Sequence, residues 1–289
     1  MSAARGVRIA HVSDPHFGTE VPAVRDALLA ELHDGSFDLV LVTGDITQRA
    51  RRAQFVAARD FLAALPAGPR LCLPGNHDLP LFDLFTRVVR PYARFRTHVS
   101  ASLEPEFIDA RLAVLCVDAT SPRRHKDGAL DVIGIERTAG RLMQLPQPFR
   151  LVATHQPLAS ITRGDLRNVI HGAHQALESW IGAGADLFLG GHIHLPYCLE
   201  VGKADGSRSS LLLQAGTCIS HRTREGVPNS YNVIELEHAQ GQRRMRIERR
   251  DFNAQAGRFM SRRWHEAVSA MRQPGVPAAG WKLVREEDA

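Results

Sequence analysis

Lysine is nearly missing from this 289-residue chain: only Lys126, Lys203 and Lys282 occur, so 33 of the 36 basic residues are arginines. In an Ala- and Gly-rich sequence that skew reads as nucleotide-composition bias as much as selection for a binding surface. The four cysteines, Cys72, Cys116, Cys198 and Cys218, stand far apart. With no C-x-x-C pair, neither a zinc ribbon nor a thioredoxin-type redox pair is supported. Long apolar runs are also missing. The longest, Leu112 to Val117, has six residues where a membrane helix needs ~20. At the N-terminus only Val7 to Val12 is apolar before Ser13 and Asp14 interrupt it, so no leader peptide is expected and the chain reads as soluble and cytoplasmic.

What is present fits a globular protein, with 44% hydrophobic and 23% charged residues. A formal charge of +5 points toward nucleic acid. Between Arg243 and Arg263, however, eight arginines face only Glu248 and Asp251, a local excess larger than that of the whole chain. The remainder is close to neutral, and one basic segment is a weaker nucleic-acid signal than a basic domain.

Short apolar strands alternate with helical patterns, the sign of an α/β layer structure. Strands are expected at Val7–Val12, Asp38–Val42, Arg70–Leu73, Arg111–Val117, Arg150–Thr154 and Asp186–Leu189. Helices are expected at Pro22–His33, Ala50–Leu65, Leu81–Arg90, Ile135–Leu145 and Ala173–Ile181. From Tyr197 the helices give way to strands at Tyr197–Val201, Ser209–Gln214, Ser230–Glu237 and Arg243–Asp251. Two facing sheets with helices outside accommodate this order. Residues 1–252 are read as one catalytic domain and 253–289 as a helical or irregular tail.

Polar residues gather where strands end: Asp14-Pro15-His16, Gly44-Asp45, Gly75-Asn76-His77-Asp78, Thr154-His155 and Gly191-His192-Ile193-His194. In α/β sheets the carboxyl ends of strands converge on functional sites. Carboxylates, an amide oxygen and imidazoles suit Mn²⁺, Fe or Zn²⁺. A lone His at a strand end is commonly an ordinary hydrogen-bonded imidazole, whereas five ordered elements of this kind read together as a two-metal site. Asp45, alone after Thr43-Gly44, is the candidate bridge. Gly44, Gly75 and Gly191 let the backbone turn sharply beside the donors. The remaining histidines, including His11, His125, His171 and His174, are read as solvated or core residues.

These blocks resemble the calcineurin-like metallophosphoesterase family. The resemblance implies a four-layer α/β/β/α sandwich of two mixed sheets, with Asp14, His16, Asp45 and His194 on one ion and Asp45, Asn76, His155 and His192 on the other. It implies that a metal-bridging hydroxide attacks phosphorus. His77 would be the catalytic residue, a proton donor to the leaving oxygen or a charge stabiliser, binding substrate with Asn76 and oriented by Asp78. Ala215 to Arg224, running into Pro228-Asn229-Ser230-Tyr231-Asn232, is similar to a stretch in bacterial members resembling class III cyclic-nucleotide phosphodiesterases. There Arg222 or Arg224 could grip a phosphate, although solvated arginines are the commoner case. A small phosphoester, above all a 3′,5′-cyclic nucleotide, is the expected substrate. The alternatives are a pyrophosphatase acting on a nucleotide diphosphate-linked lipid, a nuclease and a non-catalytic protein-binding scaffold, and a homodimer is left open. Pro15 and Gln156 depart from the usual family pattern.

Overall fold

Along the first strand, Val7 and Ile9 enter one apolar core while Ala10 and Val12 enter another. This period of two, repeated in strand after strand, builds the layers. A computed structural model describes residues 6–124, 126–239, 241–271 and 279–289. One sheet holds β1 (Val7–Val12), β2 (Leu39–Thr43), β3 (Arg70–Leu73), β10 (Ser230–Ala239), β11 (Gln242–Asn253), β12 (Arg258–Ala270) and β13 (Lys282–Asp288), in the order β13-β12-β11-β10-β1-β2-β3. The other holds β4 (Glu106–Ile108), β5 (Leu112–Cys116), β6 (Phe149–Ala153), β7 (Leu187–Gly190), β8 (Tyr197–Gly202) and β9 (Ser209–Gln214), in the order β4-β5-β6-β7-β9-β8.

Between the sheets lies a core that takes Ile9, Leu41 and Leu73 from one and Val114, Leu151 and Leu189 from the other. The outer face of the first sheet packs against α1 (Pro22–Asp34) and α2 (Arg52–Ala63) through Leu28, Phe55 and Phe61. The second sheet is covered by α5 (Val132–Gln144) and α6 (Ala173–Ala183) through Ile135, Leu142 and Trp180. The fold is therefore the four-layer α/β/β/α sandwich. Two short helices, α3 (Leu84–Val89) and α4 (Ala93–His98), lie in the crossover between the sheets. Among the described residues no helix is long and apolar enough to cross a membrane.

The segment after 252 corrects the sequence reading. It carries β12 and β13, which extend the first sheet where a helical or irregular tail was expected. A bulge hid β12: Arg249 pairs with Arg263 and Arg250 with Ser261, so Arg262 is an extra residue. It flips the alternation, and Phe259 faces the helices while Ala267 faces the other sheet. Gln273, Pro274, Pro277 and His125 lie outside the described residues.

Candidate metal centre

β1, β2 and β3 run parallel in one sheet and β6 and β7 in the other, so the turns after them emerge at carboxyl ends. Five donors on these turns have left-handed backbones: Asp14 (φ 53°), His16 (47°), Asp45 (48°), His192 (72°) and His194 (53°). Elsewhere among the described non-glycine residues only Ser36 and Ala50 share that conformation. Each costs roughly 1–2 kcal/mol, and such strain collects at functional sites. Main-chain bonds hold the turns in place, His16 N donating to the Asp45 carbonyl (3.0 Å) and Gly191 N to the His155 carbonyl (2.8 Å). The glycines act by being small. A Cβ on Gly75 would collide with Asp45, and one on Gly191 with Ser13 and Asp14.

The donors form two groups, Asp14/His16/His194 and Asp45/His155/His192, the ligating atoms of each lying within 4.8 Å of one another. In the first, Asp14 Oδ1 lies 3.3 Å from His194 Nε2 and 3.6 Å from His16 Nε2. In the second, Asp45 Oδ1 lies 3.2 Å from His155 Nε2. Asp45 Oδ2 is 3.7 Å from His16 Nε2, so this carboxylate reaches both groups. Neighbouring residues aim the donors: Ser13 Oγ (2.6 Å) and His192 N (2.9 Å) donate to Asp14 Oδ2, and His155 Nδ1 meets the Thr43 carbonyl at 2.8 Å.

Asp14 Oδ1, Asn76 Oδ1, His155 Nε2 and His192 Nδ1 are buried without a hydrogen-bond partner. Such orphans are costly, and here they sit on the two donor groups. The electrostatics match. Burial opposes charge on Asp14, yet the close imidazoles of His194 and His16 hold its carboxyl well below the usual range. Burial lowers His155, but the Asp45 and Asp14 carboxylates drive it up to about 9. At His16 and His192 burial wins, taking them down to about 4 and about 3. Two ionised carboxylates in a dry pocket call for positive charge, and neutral imidazoles are metal-ready ligands. The set fits two metal ions.

His77 stands at the edge, its ring edge-on to His16 with centroids 4.9 Å apart. Its Nδ1 meets the Gln48 carbonyl at 2.8 Å, and its Nε2 lies 3.4 Å from Arg222 Nη1, which itself donates to Gln48 Oε1 (2.7 Å). Above the donors opens a cleft of about 420 Å³, lined by Asn76 and His77 and by the cations Lys126, Arg167, Arg222 and Arg224.

The family model for the calcineurin-like phosphoesterases matches residues 7–196. The chain belongs to that family. Among solved structures, the chain resembles PhoD (TM-score 0.68, 10% identity, 98% of this chain and 72% of that one). It also resembles the purple acid phosphatase PPD1 of yellow lupin (0.62, 11% identity, 89% of this chain) and a dimetal phosphatase of Danio rerio (0.58, 14% identity, 88% and 98%). It spans 53% of the lupin enzyme's length. At these identities the likeness is one of fold.

All the sequence-selected positions of the chain, Asp14, His16, Asp45, Asn76, His77, His155, His192 and His194, come together at one end of the sandwich. Asp78 does not orient His77. Its carboxylate accepts instead from Ile46 N (3.0 Å), Thr47 N (2.7 Å) and Gly75 N (2.9 Å), lacing two donor turns together. Burial and the charge of Asp45 push it up to about 7 against those main-chain bonds. Arg222 faces the cleft, whereas Arg224 is paired with Asp165 at 2.8 Å. Gln156 is buried and donates to the Lys126 carbonyl (3.3 Å). Gln48, Lys126 and Arg167 escaped sequence reading. Only Gln48 left a trace, three residues after Asp45; Lys126 reaches the cleft from a loop and Arg167 from a short 3-10 helix (Arg163–Asn168), neither with a motif.

Proposed function

We propose that this chain is a phosphodiesterase that uses two divalent or mixed-valence metal ions and acts on a small nucleotide-type diester, a 3′,5′-cyclic nucleotide before others. Asp14, His16 and His194 would hold one ion and Asn76, His155 and His192 the other, with Asp45 shared. When bound, the ions supply a water-derived nucleophile at neutral pH and offset charge on the phosphate.

The observation that carries the reading is the pairing of His77 with Arg222 over the donor groups. The Gln48 carbonyl accepts a hydrogen bond from His77 Nδ1–H, which turns Nε2 toward the cleft; when the ring carries a second proton, on Nε2, that proton would pass to the leaving oxygen and the ring would return to its neutral form. Arg222, steadied by Gln48 Oε1, meets a non-bridging phosphate oxygen with a charge-assisted bond. A cleft of about 420 Å³ with four cations in its lining suits a mononucleotide-sized anion. One observation favours the second reading, hydrolysis of a lipid-linked nucleotide diphosphate: α3, whose Phe85 and Val88 are exposed, lies close beyond the His77 turn.

The test is a panel with Mn²⁺ supplied: cyclic nucleotides, an aryl phosphodiester, a lipid-linked nucleotide diphosphate, single-stranded DNA and phosphomonoesters. Preference for cyclic nucleotides is expected. Preference for DNA with steep salt dependence would overturn the reading, and inactivity on every substrate would return the scaffold.

A further inference from the structure

Helix α3 is mounted inside out. Its arginine is buried: Arg87 donates from Nε to the Pro122 carbonyl (2.7 Å), from Nη1 to the Pro80 carbonyl (2.9 Å) and from Nη2 to the Arg124 carbonyl (2.7 Å). Its apolar side chains face solvent instead, with Phe82 79%, Phe85 78% and Val88 80% exposed and Leu84 and Val89 beside them. A surface helix ordinarily presents the opposite faces. Nor is this a frayed segment. Asp83 caps the helix, accepting from Thr86 N (3.0 Å) and Thr86 Oγ1 (2.6 Å), and the three Arg87 bonds fix its rotation. Contiguous exposed apolar side chains of this size mark an interaction surface.

The surroundings of the patch say what it meets. The Arg49 guanidinium lies 6.0 Å from the Phe82 ring centre. Arg90 ends the helix, and Arg123 and Arg124 sit in the loop whose carbonyls hold Arg87. Lys126 follows in that loop and lines the catalytic cleft. All five cations are exposed. The one carboxylate between Leu79 and Arg94 is Asp83, which already serves the cap and lies 3.8 Å from Arg94. Apolar prongs rimmed by cations complement an anionic bilayer, whose acyl boundary takes the rings while its headgroups meet the guanidiniums. A second copy of the chain would bring the same cations into opposition.

We propose that α3 docks this enzyme peripherally on an anionic membrane surface. Gln48, Arg49, Asn76, His77, Leu81 and Arg87 line one small dent of about 10 Å³, so the foot of the helix adjoins the His77 turn and docking there would set the cleft beside the headgroups. The proposal concerns where the enzyme works and stands independently of which diester it cleaves.

Flotation of the full chain with vesicles tests it, using phosphatidylcholine alone and phosphatidylcholine mixed with phosphatidylglycerol. Binding to the mixed vesicles is expected to exceed binding to the neutral ones by at least about tenfold and to weaken with salt. The Phe85→Ser/Val88→Ser double variant should lose about tenfold of it. Ile133→Ser, at a 76% exposed position on α5, should lose none. Turnover of a soluble aryl phosphodiester should be equal in all three proteins, which separates loss of docking from loss of catalysis. Absence of flotation on the anionic vesicles, or flotation untouched by the double variant, would overturn the proposal. So would a dimer in sedimentation that the double variant dissociates, because the second copy would then own the face.

Discussion

At the carboxyl ends of β1, β2 and β7 donors are buried and held in left-handed conformations, with Asp14 Oδ1, His16 Nδ1 and His192 Nδ1 lacking a hydrogen-bond partner, while along β11 and β12 most of the arginines are answered within the fold. Arg243 lies 2.8 Å from Asp186, Arg244 3.2 Å from Glu266, Arg249 2.6 Å from Asp251 and Arg250 2.8 Å from Glu248. Arg263 meets Glu286 and Asp288, and Arg246 covers the Trp264 ring at 3.7 Å. The difference teaches that charge density alone does not locate chemistry. The strands that looked fit for nucleic acid spend much of their charge within the sheet, whereas the strand tips keep ligating atoms, among them Asp14 Oδ1, His155 Nε2 and His192 Nδ1, without a hydrogen-bond partner.

The largest effect should come from removing the carboxylate that reaches both groups. Asp45→Ala is expected to lower kcat/KM by at least about 10³-fold and to lose bound metal, read by elemental analysis. Full metal content in that variant would break the contrast, since the donors would then be redundant. Next is His77→Ala, with metal content kept and kcat reduced about 10²- to 10⁴-fold, because in the proposed reaction the ring would supply a proton and hold no ion. Loss of metal alongside activity would move His77 into the ligand set. The smallest change should follow Arg244→Gln in the arginine-rich strands. Its half-exposed pair with Glu266 contributes under about 1 kcal/mol in a denaturant titration. A sharp fall in turnover there would mean that the two regions are coupled.

The donors were legible because each follows a short apolar strand, mostly through a glycine, as in Val42-Thr43-Gly44-Asp45 and Leu189-Gly190-Gly191-His192. Local pattern was enough there. It failed at β12, where one inserted arginine reverses the phase that period-two reading relies on. It failed as well for Asp78, whose partners Ile46 and Thr47 lie about thirty residues away and are set by the packing of two turns. Arg222 and Arg224 are two residues apart and indistinguishable in sequence. What separates them is Asp165, a neighbour that only the fold brings close.

Asp186, at the opening of β7, has a consequence for how the molecule is made. Its buried carboxylate accepts from Arg150 N (2.9 Å), Arg208 Nη2 (3.0 Å), Arg243 Nη1 (2.8 Å) and Trp281 Nε1 (2.9 Å). Three of these four donors follow it in the chain, the last by 95 residues. The buried charge is therefore answered mainly by residues that follow it in the chain, so burying Asp186 at the start of β7 calls for those residues to be in place. Trp281 thus works as a latch on the sandwich, and residues 1–252 without it are expected to be less stable than the full chain in a denaturant titration.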